Sequence, residues 1–160
     1  MFPTKNDIPK NARTEVAKLL NKSLATLLDL QLQTKQAHWN VKGPHFFSLH
    51  LLFDKIYVAV TGFVDLAAER AVQLGEVAKG TIKDIDAETV LPPYPESITS
   101  GFDHLEMMSN ALSIASKEIR ANIDKAEKLE DAGTTDLFTE ISRGLDESLW
   151  FVEAHLQADK

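Results

Sequence analysis

Four side chains that bind cations recur at helical spacing near the middle of the chain: His50, Asp54, Asp65 and Glu69. At about 100° per residue they fall within a stripe roughly 100° wide, so one helix carries all four on one face. His50 with Asp54, and Asp65 with Glu69, are i,i+4 pairs, close enough on a helix surface to converge on one ion. Imidazole and carboxylate together suit ferrous iron or zinc. The two pairs do not serve one metal within a single helix. Asp54 and Asp65 are about 16 Å apart along the axis, whereas bonds to a metal are about 2 Å long.

A two-fold axis removes the conflict. Where two copies of this helix cross antiparallel, the register that sets His50 opposite Glu69 also sets Asp54 opposite Asp65. A dimer then completes two identical sites, each drawing His50 and Asp54 from one chain and Asp65 and Glu69 from the other. The same register brings Val58 to Thr61 and Tyr57 to Gly62. Gly62, a poor residue for a helix interior, is then explained as room for the opposing Tyr57, and self-complementarity of this kind is what an isologous contact requires. His38 and His50 flank the turn at Gly43-Pro44 symmetrically about Pro44, which brings them level. The expected half-site is therefore His38, His50 and Asp54, facing Asp65 and Glu69. An isolated acidic i,i+4 pair is ordinarily a solvated face. Here four polar residues interrupt an otherwise apolar helix, and burying them unpaired is costly.

The elements that must hold these residues are punctuated by proline. All six prolines lie at positions 3, 9, 44, 92, 93 and 95, which leaves long stretches without a helix breaker. Helical spacing of apolar residues predicts a first helix from about Asn11 to Asn40 and a second, apolar all round and largely buried, from about Phe47 to Leu74. Residues 75–99 form a long connection in which Thr81 to Glu88 makes one or two helical turns. A third long helix runs from Phe102 to about Leu129, with Phe102, Leu105, Leu112, Ala115, Ile119 and Ile123 on its inner stripe. Gly133-Thr134-Thr135 reads as a turn and N-cap region before a last helix carrying Leu137, Ile141, Leu145, Leu149, Val152 and Leu156. The expected fold is all-α: a ferritin-like four-helix bundle whose long crossover, between the second and third long helices, contains a short helix.

Composition limits what such a bundle does. A chain of 160 residues, 44% apolar, fits one domain with a real core, here residues 11–160 behind an N-terminal tail of residues 1–10. No apolar run approaches the roughly 20 residues of a membrane span. The N-terminal segment lacks the apolar stretch of a secretory signal, so a cytoplasmic location is expected, with nucleoid association as its variant. The absence of cysteine removes disulfides, thiolate ligands and cysteine nucleophiles. A formal net charge of −7 argues against unaided nucleic-acid binding by the body of the protein.

At these residues the sequence resembles the Dps family, the dodecameric mini-ferritins known as DNA-binding proteins from starved cells. His38, Trp39 and Asn40 match that family's H-W-N element, His50 and Asp54 its second ligand cluster, and Asp65, Glu69 and Arg70 its D-x-x-x-E-R element. The stretch from Thr134 to His155 is similar to the family's last helix. The resemblance spans about Asn6 to His155. It implies a hollow homododecamer with two-fold and three-fold contacts, an intersubunit ferroxidase site, a ferric mineral inside, and hydrogen peroxide as the favoured oxidant over dioxygen. It implies protection against oxidative damage, with iron as the bound metal and zinc as a competing occupant. The E-x-x-H elements with which larger ferritins build a site inside one bundle are absent.

Other residues carry two readings. By resemblance Trp39 organises the site or scavenges stray oxidising equivalents; otherwise it packs at the turn. Trp150 is expected in the core or an interface. His45 is read as a surface turn histidine, with an accessory metal as the alternative. Asp136 matches an acidic position lining the family's three-fold iron-uptake pores. Gly133 replaces a second acidic position there, for which Asp131 is a candidate substitute. Direct DNA binding by the tail is disfavoured, because Lys5 and Lys10 are few against the acidity of the shell. Two alternatives to a ferroxidase shell are a nucleoid-compacting, DNA-protecting protein with secondary metal binding and a zinc-binding helical dimer without redox chemistry.

Overall fold

The chain folds into five helices: α1 (Lys10–Asn40), α2 (Phe46–Gln73), α3 (Ile82–Glu88), α4 (Gly101–Lys128) and α5 (Ala132–Leu156). The structure, a computed structural model, describes residues 1–157, so the last three residues of the expected 11–160 domain lie outside the described part. The four long helices pair as two hairpins, α1 on α2 and α4 on α5, and α1 packs across onto α4 and α3 while α2 touches α5. This is the expected all-α bundle. The crossover carries α3, whose start is set by Thr81: its hydroxyl accepts from the Asp84 amide while the Asp84 carboxylate accepts from the Thr81 amide, a reciprocal capping box.

One core runs the length of the bundle. Leu20, Leu24, Leu27 and Leu30 of α1 meet Phe53 and Ile56 of α2, Met108, Leu112 and Ile119 of α4, and Phe138, Ile141 and Leu145 of α5. Each such side chain contributes roughly 1.5–3 kcal/mol by leaving water. α5 comes close to α2 at Gly144, where a Cβ would stand 2.2 Å from Cζ of Phe63. At the other end of α2, Gly75 takes φ +90°, which terminates the helix in the left-handed form that glycine tolerates. Phe2 hydrogen-bonds through its amide to the Gly75 carbonyl at 2.6 Å, and the Met1 amino group lies 3.9 Å from Glu76. The first residues are thus docked on the body.

Three expectations need correction. α2 is not buried all round: Leu49, Phe53, Ile56, Val60, Ala67 and Ala71 are buried, while Leu51, Val58 and Val72 are exposed, because the rest of the bundle covers one side of it. Phe102 does not join the inner stripe and is 49% exposed. The last helix starts earlier than the glycine–threonine cluster suggested. Glu130 takes φ 60° to make the turn, Asp131 is the N-cap, and its carboxylate accepts from the Thr134 amide at 3.0 Å.

Candidate metal centre

The short turn between α1 and α2 sets His38, in the last turn of α1, against His50, in the second turn of α2. Their rings stack with centroids 3.6 Å apart and planes 21° from parallel. His38 Nδ1 donates to the His50 carbonyl at 2.8 Å, and His50 Nδ1 donates to the His38 carbonyl at 2.9 Å. A carbonyl only accepts, so both Nδ1 atoms carry the proton and each Nε2 keeps its lone pair. Such a bond fixes the orientation of a ring that ligates a metal. The turn is braced from outside as well, since the Lys42 amide donates to the Thr99 carbonyl at 2.9 Å, just ahead of α4.

Asp54, one turn after His50, brings its Oδ1 to 4.0 Å from His38 Nδ1. His38, His50 and Asp54 thus lie beside one another at the α1–α2 turn. The structure also adds a residue that sequence reasoning missed. The Lys35 ammonium hydrogen-bonds to Asp54 Oδ1 and sits 4.4 Å above the Tyr57 ring. That hydrogen bond, ahead of the weaker pull of the ammonium and imidazole charges and against partial desolvation, holds the Asp54 carboxyl below the ordinary carboxylate range. The signal was present in the sequence: Lys35 precedes His38 by three residues and so shares its helix face.

Asp65 and Glu69 lie further along α2 and are exposed. Within one chain they do not meet the histidines, and among the described residues no three His, Asp or Glu side chains of a single chain cluster closely enough to hold a metal ion. Between the two groups, Val58 is 64% exposed and no atom comes within 4 Å of a Cβ placed on Gly62. Arg70, next to Glu69, turns away from this face. Its guanidinium donates to Asp131 at 2.8 Å and to the Thr134 hydroxyl at 2.9 Å.

The remaining candidates divide. Asp136 is exposed in the first turns of α5. Asp131 does not substitute for a pore carboxylate: it is 1% exposed, taken up by Arg70 and by the cap of α5. Gly133 has a packing reason, since a Cβ there would stand 3.1 Å from the Arg70 guanidinium. Trp39 is 67% exposed rather than packed at the turn, and Trp150 is 62% exposed and hence outside the core of the chain, leaning on Phe151 at 5.0 Å. His45 is the exposed N-cap residue of α2.

Comparison with known proteins decides the family. The ferritin-like domain family matches residues 17–160. A DNA protection during starvation protein of Agrobacterium fabrum is 45% identical over 154 residues, which cover 96% of this chain and 95% of that one. This chain belongs to the Dps family of ferritin-like proteins. A Dps relative from Mycolicibacterium smegmatis is 34% identical over 145 residues, 91% of this chain and 79% of that protein. Among solved structures, DpsC from Streptomyces coelicolor superposes with a TM-score of 0.93 at 29% identity, covering 100% of this chain and 92% of its own. A Dps of Mycobacterium smegmatis gives 0.91 at 33% identity, covering 98% and 95%. The Dps fold thus accounts for the whole described chain, crossover helix included.

Proposed function

We propose that the chain is one subunit of a hollow dodecamer that binds ferrous iron between paired subunits, oxidises it with hydrogen peroxide in preference to dioxygen, and stores the ferric product. The observation that carries this reading is the His38–His50 pair, whose two Nε2 lone pairs and the adjacent Asp54 form half of a nitrogen–oxygen ligand set. Asp65 and Glu69 supply the other half on the exposed face of α2, in the register that also sets Tyr57 over Gly62. Histidine and carboxylate donors with open positions suit ferrous iron as substrate, and zinc competes for the same donors. One peroxide takes one electron from each of two ferrous ions and two protons, giving two waters and no free radical. Removing iron and peroxide together is the protective activity. Asp136, three-fold related in the shell, lines the uptake pore and concentrates cations there.

Stopped-flow absorbance after mixing the purified protein with ferrous iron and either peroxide or dioxygen tests the reading. A fast ferric signal with peroxide and a slower one with dioxygen is expected. No ferric signal above that of buffer would leave a zinc-type site.

A DNA-protecting role is the second reading, favoured by the names of the relatives. The docked first residues, the pair Lys5 and Lys10, and the net charge of −7 support a protein that protects DNA through iron chemistry rather than by coating it. A gel shift at physiological salt decides: retarded DNA would restore direct binding.

A further inference from the structure

Tyr94, in the crossover, and His104, in the first turns of α4, make a contact that the metal centre does not use. The Tyr94 hydroxyl lies 2.6 Å from His104 Nδ1, with the rings nearly parallel at 5.9 Å. His104 is completely buried and Tyr94 half-buried. Burial pushes the phenol above its ordinary range; burial, outweighing the pull of the Asn40 carbonyl and Asp103, pushes the imidazole down. In the resting pair the proton therefore sits on the phenol, and the phenol donates to Nδ1. That fixes the imidazole proton on Nε2, which has no hydrogen-bond partner of regular geometry. A pair that served packing alone would need neither the hydroxyl nor the imidazole, since two apolar rings fill the same space.

The surroundings favour a positive charge on His104 once one is created. The Asn40 carbonyl beside the ring belongs to the last residue of α1, the negative end of that helix dipole. Asn40 is two residues from His38. On the other side the Phe53 ring meets His104 edge-on at 6.5 Å, and Phe53 precedes Asp54. The phenol–imidazole pair is thus connected through packed groups to both helices that carry the candidate ligands.

We propose that Tyr94 and His104 form a proton-coupled redox pair that quenches one-electron oxidising equivalents escaping the iron reaction, an inference that rests on the iron–peroxide reading above. The oxidant is of the hydroxyl-radical class, formed where peroxide takes one electron instead of two. Tyr94 gives one electron through the packed path, its O–H bond breaks, and the proton passes to His104 Nδ1. The products are a neutral tyrosyl radical, an imidazolium and hydroxide. A further ferrous ion returns the electron and is itself oxidised to ferric; the proton returns from His104 to the phenolate oxygen.

The chain has two tyrosines, Tyr57 and Tyr94, so variants assign a tyrosyl signal without ambiguity. Freeze-quenched electron paramagnetic resonance is run in two arms: metal-free protein oxidised by photogenerated ruthenium(III) tris-bipyridine, and protein mixed with ferrous iron and peroxide. Both arms are expected to show a tyrosyl radical in wild type and Tyr57→Phe and none in Tyr94→Phe. In His104→Gln, with folding checked by circular dichroism, radical formation in the first arm should slow by about a hundredfold, as for loss of a positioned proton acceptor. In wild type it should slow in deuterium oxide. A tyrosyl signal surviving in Tyr94→Phe, or rates insensitive to deuterium, would overturn the proposal. A signal in the ruthenium arm with none in the iron arm would also overturn it when ferric absorbance shows iron being oxidised. Absence of ferric absorbance would instead locate the failure in the iron reading, with the redox pair judged on the ruthenium arm alone.

Discussion

His38 and His50 each hold the other's backbone carbonyl through Nδ1, at 2.8 and 2.9 Å, while their rings stack 3.6 Å apart. Each ring is held at Nδ1 by a backbone carbonyl and across its face by the other ring, so the two Nε2 atoms are positioned together. Substituting one histidine removes a ligand and the ring stacked on its neighbour, and leaves the backbone carbonyl that holds that neighbour's Nδ1.

That unit predicts complementation between two variants. Protein with His38→Ala and His50→Ala, and protein with Asp65→Ala and Glu69→Ala, should each lose peroxide-dependent iron oxidation. A mixed dimer joins the intact halves into one complete site and leaves the other doubly defective. Co-assembled variants should therefore recover part of the activity. Mixed dimers confirmed by mass spectrometry yet no more active than the separate variants would end the shared-site reading.

Lys35 should act as a resident counter-ion. Its ammonium is bonded to Oδ1 of Asp54, so a cation bound at this carboxylate competes with it. Lys35→Met is expected to raise zinc affinity, measured by titration calorimetry, by about fivefold, the scale of a partly exposed ion pair. Unchanged or weaker binding would make Lys35 a bystander or a positioning group.

Two glycines on neighbouring helices should respond oppositely to bulk. Gly62 faces open space within the chain, whereas a Cβ at Gly144 meets Phe63 at 2.2 Å. Gly144→Val should destabilise the fold by about 1–3 kcal/mol, the cost of overpacking, visible in denaturant melts. Gly62→Trp should leave secondary structure intact and weaken the proposed two-fold contact, so that native mass spectrometry shows smaller species. A Gly62→Trp protein that assembles normally would move that contact elsewhere.

Asp136→Asn should slow iron uptake at low ionic strength and leave oxidation at the centre unaffected, because the change concerns approach rather than coordination. Equal uptake in mutant and wild type would take Asp136 out of the pathway.

His104 should make stability fall with acid. Its folded-state pKa lies below the ordinary value of 6.5, so above about 6.5 both states are neutral and it contributes no pH dependence. As pH drops below that, the unfolded chain takes up a proton that the folded one resists, and stability declines until the folded pKa is passed. Thermal melts between pH 7 and about 5 should show this slope, reduced in His104→Gln. An identical slope in the variant would assign the effect to other groups.

How far the sequence could be read depended on whether partners were local. Helix spacing and six prolines marked the four long helices, and symmetry about Pro44 brought His38 level with His50 before any coordinates. Asp131 reads as a surface carboxylate because its burial depends on Arg70, 61 positions earlier, and nothing near Asp131 announces that partner. Lys35 shows in the sequence only as a residue sharing the helix face of His38, since its anion lies 19 positions away on another helix. The apolar circumference of α2 reads as core, because a pattern of hydrophobic residues does not distinguish a side chain covered by its own chain from one left for another surface. The match of Asp65 and Glu69 to the other half-site belongs to a relation between chains.

Arg70 has one more consequence. It follows Glu69 at the end of α2 and is clamped by Asp131 and Thr134 at the start of α5. Helix ends are ordinarily the first places where amide protons exchange with solvent, each fraying by itself. Here the last turn of α2 cannot unwind without giving up the side chain that closes the first turn of α5. The two termini, remote in sequence, therefore open together as one exchange unit, and deuterium should enter residues 69–73 and 132–135 at a common rate.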